Sequence, residues 1–509
     1  MPDKGPSPYP MMPNIELTVS GIKKLLDNLK PQKASGPDSI SPMVLKELSN
    51  EIAPILEIIF RFSLRTGEVP DDWKEANVAP IYKKGDKHKA SNYRPVSLTC
   101  IASKIMEHII VSNVMKHLET QNILSPLQHG FRRNHSCESQ LLSLFQDLAS
   151  SPIQVDMLII DFSKAFDKVL HKRLNYKLNW YGIRGDPLGW ITEFLSSRTQ
   201  RVVLDGASSD SAPVISGVPQ GTVLGPILFL IYINDLPDGV LNSTVRLFAD
   251  DCIIYRPIRN KKGTELLQAD LNSVGSWERT WLMEFNADKL FTIRAGRANK
   301  LIQKIYTLHN QPLHITNSAK YLGLTITSDL KWNTHINNIT KKSNSILGLL
   351  RRNLRISSQS LKTQAYQSLI RPHLEYASTV WSPHTTENRH KLDRVQRRAA
   401  RYACNRWHNT SSVSEMVRQL GWESLTARRL HMMYRVARTP VGDAWQRWLT
   451  ISTRQTRGFH PWRYIPLSPS NDQYKYSFLP STIPIWNSLP IAVVSSPNLD
   501  SFRLKLSNM

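Results

Sequence analysis

The sequence predicts a mixed α/β protein with a largely antiparallel sheet. Three observations carry this expectation. Strand-like and helix-like patterns alternate through the centre of the chain, the stretch after about residue 328 is mainly helical and strongly basic, and 41% of the 509 residues are apolar, enough to fold. A chain of this length exceeds what one hydrophobic core organises, so two or three subdomains are expected.

Taken in order, the elements follow from local patterns. The amino terminus, MPDKGPSPYPMMPN, is proline-rich and has no charged-then-apolar leader pattern. Ser20 is placed to cap a helix carrying Ile22, Leu25, Leu26 and Leu29 at helical spacing, with Pro31 as its stop. After the loop KASGPD, Ser41-Pro42 opens a second helical region, interrupted at Pro54, whose Ile55, Ile58, Ile59 and Phe62 are expected to form a buried stripe before Gly67. Residues 73–100 read as short strands around a basic turn, and a helix with Ile105, Ile109 and Val114 comes next.

In the central block VDMLII (155–160) is a strand, the segment around Leu174, Leu178 and Tyr181 is a helix ended by Gly182, and RVVLD and LFADDCIIY are further strands. The aromatic and proline-rich tail around 459–490 contains WNSLP, expected to be a turn between packed segments. No repeat of fixed period is present. The longest apolar run, PILFLIYI (226–233), is too short to span a bilayer, so the expectation is a soluble protein with no membrane partner.

The formal charge of +24 suggests a polyanionic partner such as nucleic acid. Residues 328–509 hold 27 Lys and Arg against 9 Asp and Glu, a net +18, which leaves +6 for residues 1–327. The four cysteines, Cys100, Cys137, Cys252 and Cys404, form no CxxC pair. That argues against a disulfide framework or a zinc knuckle and fits a reducing compartment.

LFADDCIIY places two carboxylates, Asp250 and Asp251, inside an apolar segment. Consecutive strand residues point to opposite faces, so both can serve one site only if the strand breaks there. With Phe248 ending one strand and Cys252 starting the next, the pair sits at a hairpin tip. A DD dipeptide alone is more often an exposed turn. A third acid changes the balance, because VDMLIID brings Asp161 to the end of an apolar strand with Met157 and Ile159 on its face. Three carboxylates at strand ends repel one another unless cations neutralise them. Oxygen ligands without nearby His or Cys favour Mg²⁺ or Mn²⁺. Two such ions roughly 3.5–4 Å apart can support an in-line phosphoryl displacement, the chemistry of nucleotide addition.

DFSKAFD, SGVPQGTVLGPILFLIYINDLP and LFADD resemble, in order and spacing, the motifs of reverse transcriptases of non-LTR (LINE-type) retrotransposons, particularly jockey-like elements. KASGPD, VPDDWKEANVAPIYKKGD, NYRPVSLT, QHGFRRNHSC, FNADK and YLGLTI extend the likeness over about residues 30–330, and VQRRAARY and IPIWNSLP carry it nearly to the end. The resemblance implies an α+β right-hand polymerase: an N-terminal helical extension (1–63), fingers and palm (64–327), a thumb-like basic helical region (328–440) and a C-terminal extension (441–509). It implies two Mg²⁺ ions held by Asp161 and Asp250, with Asp251 supporting the site, and Mn²⁺ as a substitute.

Further roles follow from the same resemblance. Phe166 matches the aromatic beneath the incoming sugar, where a ring excludes a 2′-hydroxyl; a plain core aromatic is the competing reading. Gln220 and Gly221 match the loop beside the nascent base pair, and Lys83 and Arg94 the fingers residues that hold the triphosphate. Asp167 reads as a helix-start residue that accepts backbone N–H groups, and Asn286 and Lys289 in FNADK match a motif beyond the active turn. Tyr321, Leu322 and Gly323 look like the hairpin that positions the primer terminus. In KLDRVQRRAARYA (391–403), Leu392, Val395, Ala399 and Tyr402 share a helix face, and Arg394, Arg397, Arg398 and Arg401 lie off it, suited to phosphate contacts with a template–primer duplex. Trp381, Trp407, Trp422, Trp462 and Trp486 are better read as core than as stacking platforms.

The implied activity is RNA-directed DNA synthesis, with an RNA template, a DNA primer or target and dNTPs as partners, acting in the nucleus after cytoplasmic synthesis. The roughly 60 residues before the fingers are too few for an endonuclease domain, so the expectation is a fragment of a longer polyprotein or a nick supplied from elsewhere. Two readings compete: a catalytically inactive nucleic-acid-binding remnant of a mobile element, and an intron-encoded maturase. FNADK and WNSLP favour the retrotransposon over the maturase.

Overall fold

The computed structural model describes residues 3–296, 301–408, 410–422, 430–431, 433–434, 448–453 and 460–509. Helices α1 (Val19–Asp27), α2 (Pro42–Glu47), α3 (Ser49–Thr66) and α4 (Asp71–Lys74) lead into strands β1 (Glu75–Tyr82) and β2 (Tyr93–Leu98). Next come α5 (Ile101–Thr120), α6 (Cys137–Ser150), β3 (Val155–Asp161), α7 (His171–Trp180) and α8 (Asp186–Leu195). Strands β4 (Arg198–Leu204), β5 (Ala207–Ser208) and β6 (Ala212–Val214) precede α9 (Gly225–Ile233), β7 (Thr244–Phe248), β8 (Asp251–Pro257), α10 (Lys261–Trp281) and β9 (Phe291–Ala295). Short strands β10 (Thr307–Leu308), β11 (Gln311–Pro312) and β12 (His314–Ile315) are followed by β13 (Ser318–Tyr321) and β14 (Leu324–Thr327). Helices α11 (Asn333–Asn353), α12 (Gln359–Leu369), α13 (Arg371–Glu375), α14 (Ser378–Trp381), α15 (Thr386–Cys404) and α16 (Val413–Gln419) come after them. Further helices span Asp472–Lys475, Phe478–Asn487, Ile491–Val494 and Leu499–Ser507.

The chain divides into two compact units, each assembled from separated segments. The first holds Met1–Phe131, Asp161–Leu241 and Asp270–Asp288, the second Arg132–Ile160, Asn242–Ala269 and Lys289–Met509. In the first unit β1 pairs with β2 antiparallel and with β4 parallel, while β5 and β6 pair with β4 antiparallel. Helix α9 is apolar all round, as a helix at the centre of a core must be, and every large side chain in it is buried. The proline-rich start is docked here, with Met12 N–H donating to the Gly182 carbonyl at 2.8 Å and the Tyr9 ring 5.2 Å from that of Trp180.

Three local expectations are corrected. The first helix is capped by Thr18, whose Oγ1 accepts from Gly21 N–H at 3.2 Å, so Ser20 lies inside it; it ends at Asp27, ahead of Pro31. The break in the second helical region falls at Leu48, and Pro54 is accommodated within α3. The stripe of Ile55, Ile58, Ile59 and Phe62 faces solvent, at 57, 67, 39 and 51% exposure, while Ala53, Leu56, Phe60 and Leu64 are buried. Helix α3 is apolar on two sides, and the side with small Ser49, Ala53 and Ser63 packs inward. Ser63 also accepts from the Trp190 indole N–H at 3.0 Å.

In the second unit the sheet order is β12-β9-β3-β8-β7. The central strand β3 is buried from Val155 to Ile160, which explains its continuous apolar pattern. Within this buried stretch Asp156 accepts from Tyr306 Oη at 2.6 Å and Gln154 Nε2 at 2.7 Å. Ile258 N–H donates to the Gln154 carbonyl at 2.7 Å, tying the residue after β8 to the residue before β3. Neighbours joined in that sense run antiparallel, so β8 begins at the sheet edge where β3 ends.

In α15 the expected apolar face is borne out, with Leu392, Val395, Ala399 and Tyr402 buried. Trp381, Trp422 and Trp486 are core residues and Trp462 packs against the same cluster. Trp407 is exposed, with the Arg351 guanidinium 4.6 Å from its ring centroid. All four cysteines are free thiols, and among the described residues no helix is long and apolar enough to cross a membrane.

Candidate active site

Asp161 is the last residue of β3 and is half-buried. Its backbone is held by the segment that contains FNADK. Asn286 N–H donates to the Asp161 carbonyl at 2.8 Å, Phe162 bridges to Phe285, and Ser163 N–H donates to the Glu284 carbonyl at 2.8 Å. This three-residue ladder gives FNADK a physical role that its sequence left open: it fixes the chain as it leaves the strand at the carboxylate.

Asp250 sits in a two-residue hairpin. The ladder of β7 and β8 closes on the pair Phe248↔Asp251, so Ala249 and Asp250 alone make the turn. Asp251 is therefore already a strand residue, one position earlier than expected. Ala249 has φ +51°, the left-handed region that hairpin turns of this length favour and that a residue with a Cβ adopts at a cost of order 1–3 kcal/mol. Such strain is maintained only where the surroundings over-determine it, and the buried strands on either side do so: Val245, Leu247, Cys252 and Ile253 are all in the core.

In the first unit, β1 and β2 present Lys83 and Arg94. Arg94 stands opposite Ile81, and Lys83 N–H continues the ladder by donating to the Asn92 carbonyl at 2.8 Å. Side chains two apart on a strand, and those directly opposed, share a face, so both exposed cations project from one side of the hairpin. Three residues beyond Arg94, Ser97 N–H donates to the Gln220 carbonyl at 2.6 Å. Gly221 has φ +110°, and a Cβ there would lie 2.5 Å from the Ser97 carbonyl oxygen, so only glycine fits this close approach. The strand that carries Arg94 thereby seats the PQG loop.

Gln220 Nε2 also donates to Asp167 Oδ1 at 3.1 Å. Asp167 was expected to accept backbone N–H groups at a helix start; its carboxylate instead accepts this side-chain amide, and its carbonyl accepts from Ser216 Oγ at 3.0 Å. The Phe166 carbonyl accepts from Val218 N–H at 2.8 Å, and its half-buried ring stacks on Phe229 of α9 with centroids 4.7 Å apart. Asp167, Ser216 and Gln220 border a cleft of about 280 Å³ lined also by Ser97, Arg198 and Gln200, among others.

One residue was missed. Glu107, fully buried in α5, accepts from Val223 N–H at 2.7 Å and Leu224 N–H at 2.9 Å, just before α9. Burial pushes its carboxyl above the usual range, although the two N–H groups work in the opposite direction. It ties down the chain directly after Gly221. A lone acid within IASKIMEHIIV was the available signal.

In the second unit, Tyr321 and Leu324 close another two-residue hairpin, with φ +43° at Leu322 and +82° at Gly323. Tyr376 Oη donates to the Leu322 carbonyl at 2.9 Å. Tyr321 is itself a core residue, its hydroxyl 3.4 Å from Gln140 Nε2, which leaves Leu322 and Gly323 as the accessible part of this word. On α15, Arg394, Arg397 and Arg398 are exposed and Arg401 is half-buried. Arg398 donates to Asn344 Oδ1 at 3.2 Å and Arg401 to the His408 carbonyl at 3.1 Å.

Among the described residues no three His, Cys, Asp or Glu side chains form a protein-only metal cage. Mg²⁺ in phosphoryl-transfer sites is held by one or two carboxylates and completed by water and substrate phosphates. Asp161 and Asp250, each half-buried at a strand end or turn, have the oxygen donors for it.

Residues 81–326 match the family described as reverse transcriptase (RNA-dependent DNA polymerase). The chain is 27% identical over 417 residues to the RNA-directed DNA polymerase from mobile element jockey of Drosophila melanogaster, covering 78% of this chain and 45% of that protein. To the probable RNA-directed DNA polymerase from transposon X-element of the same fly it is 26% identical over 382 residues, 72% of this chain and 42% of the relative. A Pol polyprotein from the type-1 retrotransposable element R1 of Bradysia coprophila is 24% identical over 456 residues, 85% of this chain and 44% of the relative. The chain spans less than half the length of these curated relatives. Residues 81–326 are thus similar to the reverse transcriptase family, and the chain is similar to the polymerases of non-LTR retrotransposons.

Proposed function

We propose that the protein is an RNA-directed DNA polymerase of a non-LTR retrotransposon, extending a DNA primer 3′-hydroxyl on an RNA template. The observation that carries this reading is the placement of two carboxylates on one sheet: Asp161 ends β3, Asp250 turns the chain into β8, and β8 runs antiparallel beside β3. Both acids are proposed to serve one metal site.

In this proposal Asp161 and Asp250 hold two Mg²⁺ ions, with Mn²⁺ as a substitute, and Asp251 supports them from the first position of β8. Bound there, the ions supply activation of the attacking hydroxyl and charge stabilisation at the phosphate. Lys83 and Arg94 bind the triphosphate from their shared face of the β1–β2 hairpin, the guanidinium in a two-pronged fashion. Phe166, braced by Phe229, presents its ring to the sugar and rejects a 2′-hydroxyl. Gln220 and Gly221 orient the nascent base pair, with Asp167 and Ser97 fixing the loop. Leu322 and Gly323 approach the primer end, while Arg394, Arg397, Arg398 and Arg401 meet duplex phosphates in a salt-sensitive, sequence-independent way.

The subdomain assignment follows from these roles: β1–β2 as fingers, the β12-β9-β3-β8-β7 sheet as palm, residues 328–440 with α11 to α16 as thumb, and residues 441–509 as a C-terminal extension. The nucleus is the proposed site of action, where the DNA primer would be found. Primer extension separates this reading from a nucleic-acid-binding remnant. The enzyme is expected to extend a DNA primer on RNA with dNTPs and Mg²⁺; template–primer binding without any extension would establish the remnant.

A further inference from the structure

We propose that the outward face of α3 is a self-complementary seam that pairs two copies of this chain in antiparallel orientation. Leu48, Ile55, Ile58 and Phe62 are each about half or more exposed, and Ile59 flanks them. A soluble protein seldom leaves such a run of large apolar side chains on one helix uncovered. Glu51, Ile55, Ile58, Phe62 and Arg65 follow one another at intervals of four, three, four and three residues, the spacing of a helix–helix seam.

The order of residues in this seam is what selects a second copy. Read in reverse it becomes Arg, Phe, Ile, Ile, Glu. About a twofold axis at Ile58, the apolar side chains therefore meet apolar side chains, and Glu51 of each copy meets Arg65 of the other. Both charged residues are exposed, stand seven positions on either side of Ile58, and make no ion pair among the described residues. The other charged pair of the helix, Glu57 and Arg61, is already satisfied by its own i,i+4 bridge. An unrelated apolar partner would account for the isoleucines and not for the symmetric placement of opposite charges. One helix per copy makes a small interface, below about 1,200 Å², which suits a reversible dimer.

Sedimentation equilibrium on nucleic-acid-free protein tests the proposal. The wild type is expected to show a concentration-dependent monomer–dimer equilibrium, and Ile58→Glu, which sets two carboxylates against each other at the axis, to be monomeric throughout. Glu51→Arg should weaken the dimer about tenfold, because two like-charged contacts replace two ion pairs, and Glu51→Arg with Arg65→Glu should restore it. Since Ile58, Glu51 and Arg65 are exposed, template–primer affinity should not change, nor should thermal unfolding at dilutions where the wild type is monomeric. A monomeric wild type, a dimer unaffected by Ile58→Glu, or a charge swap that fails to restore association would each overturn the seam.

Discussion

The Gln220 side-chain amide donates to Asp167 at 3.1 Å while its own carbonyl accepts from Ser97 at 2.6 Å, so one residue of the PQG loop is pinned at both ends. Removing the charged acceptor should loosen Gln220 without removing it. Asp167→Ala is expected to raise the KM for dNTP roughly tenfold, the worth of one hydrogen bond to a charged group, with kcat changed less. Steady-state single-nucleotide insertion gives both numbers, and an unchanged KM would mean that the bond does not position the loop.

Phe166 combines a packed position with the proposed sugar contact. Phe166→Val should raise ribonucleotide incorporation relative to deoxynucleotide by roughly 10–200-fold, the range available from one steric discrimination. Loss of the stack on Phe229 will also lower stability, so the ratio of the two kcat/KM values is the informative quantity. If that ratio is unmoved, the ring is only a core residue.

Lys177 is wholly buried, its ammonium 2.5 Å from Asp235 Oδ1, bonded to the Tyr232 carbonyl and 3.6 Å from the centroid of the Trp281 ring. Burial pulls its pKa down to about 7. For Asp235 burial acts upward, but Lys177 and Lys4 prevail and hold the carboxyl below its ordinary value. Lys177→Met would strand a buried carboxylate whose remaining side-chain partners among the described residues are Lys4 and the Trp277 N–H. It should cost about 3–5 kcal/mol and lower the thermal midpoint by roughly 5–10 °C, measurable by calorimetry.

His335 is buried in α11, where its Nδ1 accepts from Thr325 N–H at 3.3 Å, and burial pulls its pKa down to about 4 from an ordinary 6.5. The unfolded chain therefore takes up a proton that the folded chain refuses between pH 6.5 and 4. Stability should fall across this window as the pH is lowered, by up to about 3 kcal/mol. Urea midpoints measured against pH should show this slope in the wild type and a flatter one in His335→Gln. Parallel slopes would assign the acid sensitivity to other groups.

Sequence patterns located the hairpin at LFADD because two acids cannot share a straight apolar strand, and the structure moves only Asp251, by one residue, into the ladder. The face of α15 was legible for a similar reason: arginines on one side leave a single choice for burial. Helix α3 has no such asymmetry. Its Ile55–Phe62 stripe and its Ala53–Leu64 stripe have the same period, and what decides between them is the close approach allowed by Ser49, Ala53 and Ser63. Contacts between distant segments were out of reach altogether. Nothing local in MPDKGPSPYP indicates that Lys4 bonds Asp235 at 2.7 Å, and nothing in FNADK indicates that its backbone pairs with Asp161.

The proposed activity rests on Asp161 and Asp250 together supporting nucleotide addition. The most direct measurement is the single-turnover rate of one-nucleotide extension on an RNA-templated DNA primer with Mg²⁺, for wild type, Asp161→Asn and Asp250→Asn. Each substitution should lower the rate by a factor on the order of 10³ or more while leaving template–primer affinity within about threefold, since metal-assisted charge stabilisation is worth several kcal/mol. Extension by Asp250→Asn at the wild-type rate would contradict it.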